Sequence, residues 1–274
     1  MAKRKKPKGK SLASQADRYR LYLEAVQSPD NEVPFFNRVF RSAYRRPPLL
    51  LREDFCGTAA VCCEWVNSRR DRRAVGIDLD PEPLAWGKTH TIGTLTPEAA
   101  ARVKLVKGNV LKTAGEKADV LAAQNFSFFI FKTRDQLRNY FTTARRNLAK
   151  QGVLVLDVMG GAEVMEENRE ETRREKGFTY IWEQRRFDPI SHEGHYYIHF
   201  EFKDGSAIRR AFHYDWRIWT LPEICELLLE AGFKQADVYW ENTDLDTEEG
   251  NGIFRKCVSA PADPAWVSYV VGVK

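Results

Sequence analysis

Polar side chains stand at the ends of four apolar stretches in the first half of the chain. They are Glu53 and Asp54, Asp78 and Asp80, Asn109, and Gln124 and Asn125. Gly57 follows the first of these stretches, and its missing side chain lets a ligand approach the backbone there. Asp78 comes 21 residues after Gly57, which is the spacing of a carboxylate that binds the hydroxyl groups of a ribose. The pattern therefore predicts a site for a nucleoside.

The turn after the first apolar stretch lacks the residues that hold a dinucleotide. A dinucleotide-binding turn carries glycines in the pattern G-x-G-x-x-G, so that it can bind a pyrophosphate. The corresponding positions here are Phe55, Gly57 and Ala60, and Glu53 and Asp54 flank them. Carboxylates repel a pyrophosphate and attract cations. S-adenosylmethionine combines ribose and adenine with two positive groups, a sulfonium and an ammonium, and is the expected cofactor. The alternative is that the turn only connects a strand to a helix.

The polar residues lie on a regular alternation of apolar strands and amphipathic helices. Strands are predicted at 49–52, 74–79, 103–107, 118–122 and 153–158, and a last pair at 234–240 and 266–273. Such an alternation is typical of a parallel sheet that helices cover on both faces. The predicted fold is α/β, with a Rossmann-like, doubly wound, seven-stranded sheet that is mostly parallel and has an antiparallel last strand. Ligands bind beyond the carboxyl ends of such strands, which brings the polar residues together.

Two further segments are predicted from their own patterns. Apolar and aromatic residues recur every three or four positions over 16–26 and 33–43, which predicts a helical cap over residues 14–46. An inserted antiparallel β ribbon is predicted at about 160–215. It begins with a charged helix over 160–176 and continues with β-rich stretches at 178–187, 195–202 and 207–214.

The net charge of +5 is concentrated at the N-terminus. Six lysines and arginines fall within residues 1–10, so the rest of the chain has a net charge near −1. Residues 1–13 are expected to form a disordered, solvated basic tail. Contact of this tail with RNA or another polyanion is the less favoured alternative.

Composition excludes several classes of protein. Of the 274 residues, 43% are hydrophobic and 30% are charged, which excludes a disordered tail protein, a collagen-like repeat and a disulfide-stapled miniprotein. No apolar run approaches the roughly 18 residues of a membrane span, and the start lacks the apolar stretch of a secretory signal. The five cysteines make no C-x-x-C pair, so we expect reduced thiols in a cytoplasmic protein.

Four stretches resemble the motifs of class I S-adenosylmethionine-dependent methyltransferases. Residues 51–59, Leu-Arg-Glu-Asp-Phe-Cys-Gly-Thr-Ala, are similar to the first motif, 75–78 to the second, 107–110 to the third and 119–127 to the fourth. Residues 214–217 and the last strand further resemble a subgroup with small-molecule methyltransferase architecture. The resemblance implies a methyltransferase domain over residues 47–274. Phe55 and Ala59 depart from it, since glycine is usual at both positions, and Asn109 stands where aspartate is common.

The resemblance also implies roles for residues at the predicted site. Glu53 and Gly57 would line the methionine moiety, and Asp78 would bind both ribose hydroxyls. Asn109 would bind the adenine amino group, and Asn125 would stand beside the reactive methyl group. The neighbouring motif residues counted with the cofactor site are Phe55, Cys56, Thr58, Leu79 and Val110.

Aromatic residues of the predicted cap and ribbon have two candidate roles. Tyr22 either covers the cofactor or packs in the core. The aromatic residues of the ribbon either form its core or line a pocket, which would suit an amine or a planar acceptor. The residues expected to bind the acceptor are Asn125, Tyr180, Trp182, Tyr214 and Arg217.

The expected function is methyl transfer from S-adenosylmethionine to a small-molecule acceptor. Such a transfer is an in-line displacement, so the protein must mainly hold the nucleophile at about 3 Å and exclude water. Candidates for a base are His195, His213 and Tyr214, each of which has a structural alternative. No metal is expected, because neither cysteines nor clustered carboxylates complete a shell around the histidines. The alternatives are an RNA or protein methyltransferase recruited by the basic tail and a non-catalytic nucleoside-binding scaffold.

Overall fold

The computed structural model describes residues 10–112, 115–243 and 250–274. The described chain begins with helices α1 (Leu12–Gln15), α2 (Arg18–Ala25) and α3 (Pro29–Tyr44). Asp17 caps α2 by accepting hydrogen bonds from the N–H groups of Tyr19 and Arg20. Of the predicted tail, residues 1–9 lie outside the described residues, and residues 12 and 13 belong to α1.

The chain then alternates between strands and helices. In order these elements are β1 (Leu50–Asp54), α4 (Ala60–Asn67), β2 (Arg73–Asp78), α5 (Pro81–His90), α6 (Pro97–Ala100), β3 (Val103–Lys107), β4 (Ala118–Ala123), α7 (Arg134–Asn147) and β5 (Leu148–Gly160). The second half adds β6 (Arg169–Arg174), β7 (Thr179–Asp188), β8 (Glu193–Glu201), β9 (Ala207–Arg217), α8 (Leu221–Glu230), β10 (Gln235–Thr243), β11 (Gly250–Cys257) and β12 (Trp266–Val273). Thr133 and Thr220 form capping boxes at the starts of α7 and α8.

Within the described ranges, eight strands form the central sheet, in the order β3-β2-β1-β4-β5-β12-β10-β11. Strands β1 to β5 are parallel, and β12 runs antiparallel to both of its neighbours, β5 and β10. The predicted α/β fold with a mostly parallel sheet is confirmed. The chain order reverses between β1 and β4, so the carboxyl ends of these strands border the crevice where open sheets bind ligands.

The sheet has one strand more than the seven predicted. Strand β11 pairs with β10 in antiparallel register, with Arg255 opposite Trp240. Most of its residues are exposed, and they include Asn251 and Lys256, so no alternation of apolar and polar residues marks the strand in the sequence. An edge strand needs neither a second partner nor a buried face.

A separate antiparallel sheet consists of β6, β7, β8 and β9, in that order. The helix predicted at 160–176 is wrong, because residues 169–174 form β6 and pair with β7. The sequence Arg-Glu-Glu-Thr-Arg-Arg carries charges of both signs, as an exposed helix does. Side chains at the edge of a sheet are exposed to solvent as fully as those of a surface helix. The charge pattern therefore does not distinguish a helix from a strand here, and pairing with β7 makes the segment a strand.

Apolar clusters on both faces of the central sheet form the core. Helices α7 and α8 cover one face, where Phe141 and Leu227 are buried. Helices α3 and α4 cover the other face, where Phe36 and Trp65 are buried. A third cluster joins α2 to the antiparallel sheet, so the N-terminal helices contact both sheets. None of the helices in the described ranges is both long and apolar enough to span a membrane.

Candidate functional site

The loop between β1 and α4 contains one glycine but has three residues in the left-handed conformation. Phe55, Gly57 and Ala59 have φ angles of 61°, 50° and 60°. Residues with side chains rarely adopt this conformation, so Phe55 and Ala59 hold local strain of the kind that occurs at functional sites. A Cβ atom at Gly57 would meet no atom within 4 Å, so the loop is open to a ligand at this point.

Asp78, at the end of β2, fixes this loop. Its Oδ2 accepts a hydrogen bond from the N–H of Gly57 at 2.8 Å, and its Oδ1 accepts one from the N–H of Asp80 at 2.9 Å. Burial raises the pKa of Asp78, while these two donors oppose the shift. A carboxylate accepts about four hydrogen bonds, so Asp78 has capacity left for further donors such as hydroxyl groups.

The two acidic residues before the loop, Glu53 and Asp54, bind other groups of the protein. Glu53 is 2% exposed, and its Oε2 accepts a hydrogen bond from the N–H of Cys62 in α4 at 3.1 Å. Burial raises the pKa of Glu53 to about 7. Asp54 forms a buried ion pair with Arg52, in which Nε and Oδ1 are 2.7 Å apart. Arg52 lies on the same face of β1 and neutralises Asp54, one of the two carboxylates expected to repel a pyrophosphate at the turn.

A cavity of about 360 Å³, here called the first cavity, lies against this loop, α2 and β9. Seven of the eleven residues predicted to bind the cofactor line it: Tyr22, Phe55, Cys56, Gly57, Thr58, Asp78 and Asn125. Glu53 lies behind the loop and does not. Arg18 and Gln27 also line the first cavity, and no motif pointed to them because they belong to the N-terminal helical segment.

The three other predicted cofactor residues lie outside the first cavity, at the same edge of the sheet. Leu79 is 65% exposed, although it is apolar, whereas Val110 is buried. Asn109 is exposed at the end of β3. The N–H of Gly108 donates to the carbonyl oxygen of Asp78 at 2.8 Å, which holds the end of β3 beside that of β2.

A second cavity of about 500 Å³ adjoins the first, and three residues line both: Tyr22, Asn125 and Tyr214. Aromatic side chains form much of its wall, namely Tyr180, Trp182, Trp216 and Trp266. Besides Asn125, its charged and amide-bearing lining residues are Glu171, Arg173, Gln184 and Glu241. Four of the five residues predicted to bind the acceptor are therefore together here, and the fifth, Arg217, is not.

The phenol groups of Tyr22 and Tyr214 meet where the two cavities join. Both side chains line both cavities, and burial raises the pKa of both groups. A phenol with a raised pKa stays protonated at neutral pH. Both hydroxyls therefore provide neutral hydrogen-bonding groups, and Tyr214 is poorly suited to act as a base.

Asn125, the third shared residue, lies on a strained turn. Asn125 and Phe126 have φ angles of 56° and 54°. The carboxylate of Asp157 in β5 accepts hydrogen bonds from both N–H groups, at 2.7 and 3.0 Å. Burial raises the pKa of Asp157 to about 7, against the effect of these donors. Asp157 thus holds the backbone that carries Asn125 between the two cavities.

Of the two predicted histidines, His213 lines the first cavity and His195 lines neither cavity. The Nδ1 atom of His195 lies 3.4 Å from Nε2 of His213. Burial lowers the pKa of His213, and the neighbouring His195 lowers it further. Arg217 is held away from the cavities, because its guanidinium donates to the carbonyl oxygen of Lys132 at 3.0 Å and to Glu223 at 3.1 Å.

Four polar residues of the second cavity are absent from the predicted site, namely Glu171, Arg173, Gln184 and Glu241. Glu171 and Arg173 belong to β6, for which a helix is predicted, so their common face is not apparent from the sequence. Gln184 follows Tyr180 and Trp182 at a spacing of two along β7. This spacing places all three on one face of the strand and is the signal that identifies Gln184.

Solved methyltransferase structures share this fold. No protein-family model matches the chain, and no curated protein matches its sequence. The sugar N-methyltransferase KedS8 from Streptoalloteichus sp. ATCC 53650 aligns with a TM-score of 0.64 and 16% identity, over 100% of this chain and 98% of that one. DesVI from Streptomyces venezuelae aligns with a TM-score of 0.66 and 16% identity, over 94% and 98% of the two chains.

A third similar structure was determined with S-adenosylmethionine bound. CalS10 from Micromonospora echinaspora, described as an amino pentose methyltransferase, aligns with a TM-score of 0.64 and 17% identity, over 96% of this chain and 99% of that one. The chain therefore has the fold of class I S-adenosylmethionine-dependent methyltransferases over nearly its whole length. The fold that the sequence motifs imply is confirmed.

Proposed function

We propose that the protein transfers a methyl group from S-adenosylmethionine to a small-molecule acceptor. The observation that carries this proposal is the meeting of two cavities at Tyr22, Asn125 and Tyr214. One cavity lies at the point where the strand order reverses, and the other has an aromatic wall. A group-transfer enzyme needs such an arrangement, because donor and acceptor must meet across a short distance.

The first cavity fits the cofactor by the chemistry of its lining. Asp78 would accept hydrogen bonds from the ribose hydroxyls, and the open backbone at Gly57 would face the methionine end. Leu79 would cover one side of the adenine, which accounts for an apolar side chain exposed at the end of β2. Behind this lining, the buried carboxyl groups of Glu53 and Asp157 would favour a cationic ligand over a pyrophosphate.

The chain's own contribution to the reaction is positioning and the exclusion of water. Bound S-adenosylmethionine supplies an electrophilic methyl group. Tyr22, Asn125 and Tyr214 hold the passage between the cavities, and the helical segment 14–46 and the antiparallel sheet within about 160–215 cover it. The hydroxyls of Tyr22 and Tyr214 remain protonated and orient the acceptor by hydrogen bonding.

The lining of the second cavity favours an amine as acceptor. Aromatic faces attract cationic and partly positive nitrogen groups, and two carboxylates, Glu171 and Glu241, lie in the same wall. KedS8 and CalS10, which share the fold, are described as a sugar N-methyltransferase and an amino pentose methyltransferase. We therefore propose an amino sugar or a similar small amine as the acceptor.

The five free cysteines support a cytoplasmic location for the protein.

A labelling assay tests this function. The purified full chain is incubated with methyl-labelled S-adenosylmethionine and a panel of amino sugars and small amines, and the products are separated by mass. We expect label in one acceptor class and stoichiometric release of S-adenosylhomocysteine. Calorimetry that shows tighter binding of NAD than of either sulfur nucleoside contradicts the proposal.

A further inference from the structure

A third cavity, of about 230 Å³, adjoins the second cavity beyond the carboxyl end of β5. Val164 and Trp266 line both the second and the third cavity. Among the described residues, none lines both the first and the third. The three cavities therefore follow one another along this edge of the sheet, with the second in the middle.

The boundary between the second and the third cavity has a fixed shape. The ring of Trp266 lies against Gly160, where a Cβ atom would overlap it, and packs on Trp240 with ring centroids 4.9 Å apart. The hydroxyl of Tyr196 donates a hydrogen bond to the carbonyl oxygen of Val164 at 3.0 Å. Neighbours from both sheets thus hold the two boundary residues, and one bound molecule can extend along them from the second cavity into the third.

The lining of the third cavity is apolar. Ile218 is buried in its wall, and Met165, which is 38% exposed, forms part of it. Of the described residues that line it, only His192 is ionisable, and the hydroxyl of Thr220 donates to Glu223 in the capping box of α8. An apolar cavity of about 150 Å³ takes up benzene, so the third cavity has room for a ring or a short hydrocarbon chain. Water finds few hydrogen-bond partners there, which favours an apolar occupant.

The second cavity differs from the third in charge. Its wall carries the carboxylates of Glu171 and Glu241, whereas none of the described residues that line the third cavity is acidic. A molecule that extends through both would therefore place a positive amine in the second cavity, which also contains Asn125. Its apolar part would pass Trp266 and lie in the third cavity.

We propose that the third cavity binds an apolar group of the methyl acceptor, so that the acceptor is an amine with a hydrocarbon ring or chain. This inference rests on the proposed function and narrows its substrate class. An amino sugar without such a group would occupy the second cavity alone and leave the apolar wall of the third in contact with water. Burial of an attached hydrocarbon group adds affinity without a contact to the reacting nitrogen.

Alkyl glycosides of glucosamine that differ only in chain length test this inference. The methyl, butyl and hexyl glycosides carry the same amine on the same sugar. Their affinities for the full chain, saturated with S-adenosylhomocysteine, are measured by calorimetry. Burial of one methylene group strengthens binding about two- to fourfold, so the hexyl glycoside should bind at least about 30-fold more tightly than the methyl glycoside.

A variant that fills the third cavity shows where the chain binds. Met165→Trp places a larger side chain in the wall, so the ratio of the hexyl to the methyl affinity should fall below about threefold. Leu229→Trp is the matched control, because Leu229 is an exposed apolar residue of α8 that lines none of the three cavities. This control should keep the wild-type ratio, and binding of S-adenosylhomocysteine shows that each variant is folded.

A ratio near one in the wild-type protein, or no binding of any of the three glycosides, overturns this inference. A ratio that stays at the wild-type value in Met165→Trp also overturns it, because the chain then binds elsewhere. If the wild-type protein binds S-adenosylhomocysteine and labels small amines with no gain from chain length, the inference is wrong while the proposed function stands. If it does not bind S-adenosylhomocysteine, the proposed function fails and this inference fails with it.

Discussion

The carboxylate of Asp157 accepts a hydrogen bond from the backbone N–H of Asn125 at 2.7 Å. Strand β5 thereby controls the conformation of the turn after β4, where Asn125 adopts a φ angle of 56°. Asn125 also lines both cavities. Asp157, which lines neither cavity, thus sets the position of Asn125, which lies between the cavities proposed for the donor and the acceptor.

Replacing Asp157 should impair turnover more than cofactor binding. In Asp157→Asn one oxygen remains for two N–H donors, so the turn shifts and Asn125 moves with it. We expect kcat/KM for the acceptor to fall by about 10- to 100-fold, because small displacements at a reacting centre are costly. The affinity for S-adenosylhomocysteine should change much less. Asp135→Asn on the surface of α7 serves as control, and equal kinetics for the two variants would show that Asp157 has no positioning role.

Stability should depend on pH through two buried acids. The pKa values of Asp157 and Glu53 are raised to about 7 in the folded protein, from about 4 in an unfolded chain. Between these values the folded protein binds protons that the unfolded chain has released, so the free energy of unfolding falls as pH rises. We expect a lower Tm at about pH 8 than at about pH 5.5, and a smaller difference for Asp157→Asn. A Tm that rises over this range in both proteins contradicts the assignment.

We expect Asp78 to contribute mainly to cofactor affinity and Asp80 mainly to the stability of the protein. Asp78→Ala removes the anchor of Gly57 and the proposed ribose acceptor, so we expect the cofactor Kd to rise by at least about 10-fold. Asp80 caps α5 by accepting a hydrogen bond from the N–H of Glu82. Asp80→Ala should therefore cost about 1 kcal/mol of stability and change the Kd less. Calorimetry and denaturant unfolding of both variants give the comparison, and an unchanged Kd for Asp78→Ala would exclude its ribose role.

Trp182 and His195 test which face of the antiparallel sheet meets the acceptor. Trp182 lines the second cavity and stacks on Tyr196, with ring centroids 5.4 Å apart, whereas His195 lines neither cavity. Trp182→Ala should raise the KM of the acceptor several-fold and leave the affinity for S-adenosylhomocysteine nearly unchanged. His195→Ala should alter neither. If Trp182→Ala lowers the molecular mass of the particle in solution and leaves turnover intact, this sheet instead serves in subunit assembly.

The parallel core and the polar strand ends could be predicted because each strand carries its own signal. Asp78 and Asn125 follow apolar runs directly, so the topology alone brings them to one edge. Strands β6 and β11 could not be predicted, since their residues are exposed and only the pairing with a neighbour makes them strands. The spacing of two places Arg52 and Asp54 on one face of β1, but it does not show that they form a buried ion pair there. The contribution of Gln27 to the first cavity depends on side-chain packing that no spacing encodes.

A crystal structure of the full chain with S-adenosylhomocysteine tests the central claim most directly. The account predicts that the ribose hydroxyls bind Asp78 and that the sulfur lies at the wall formed by Tyr22, Asn125 and Tyr214, facing the second cavity. A nucleoside bound away from Asp78, or a sulfur directed away from the second cavity, would contradict it.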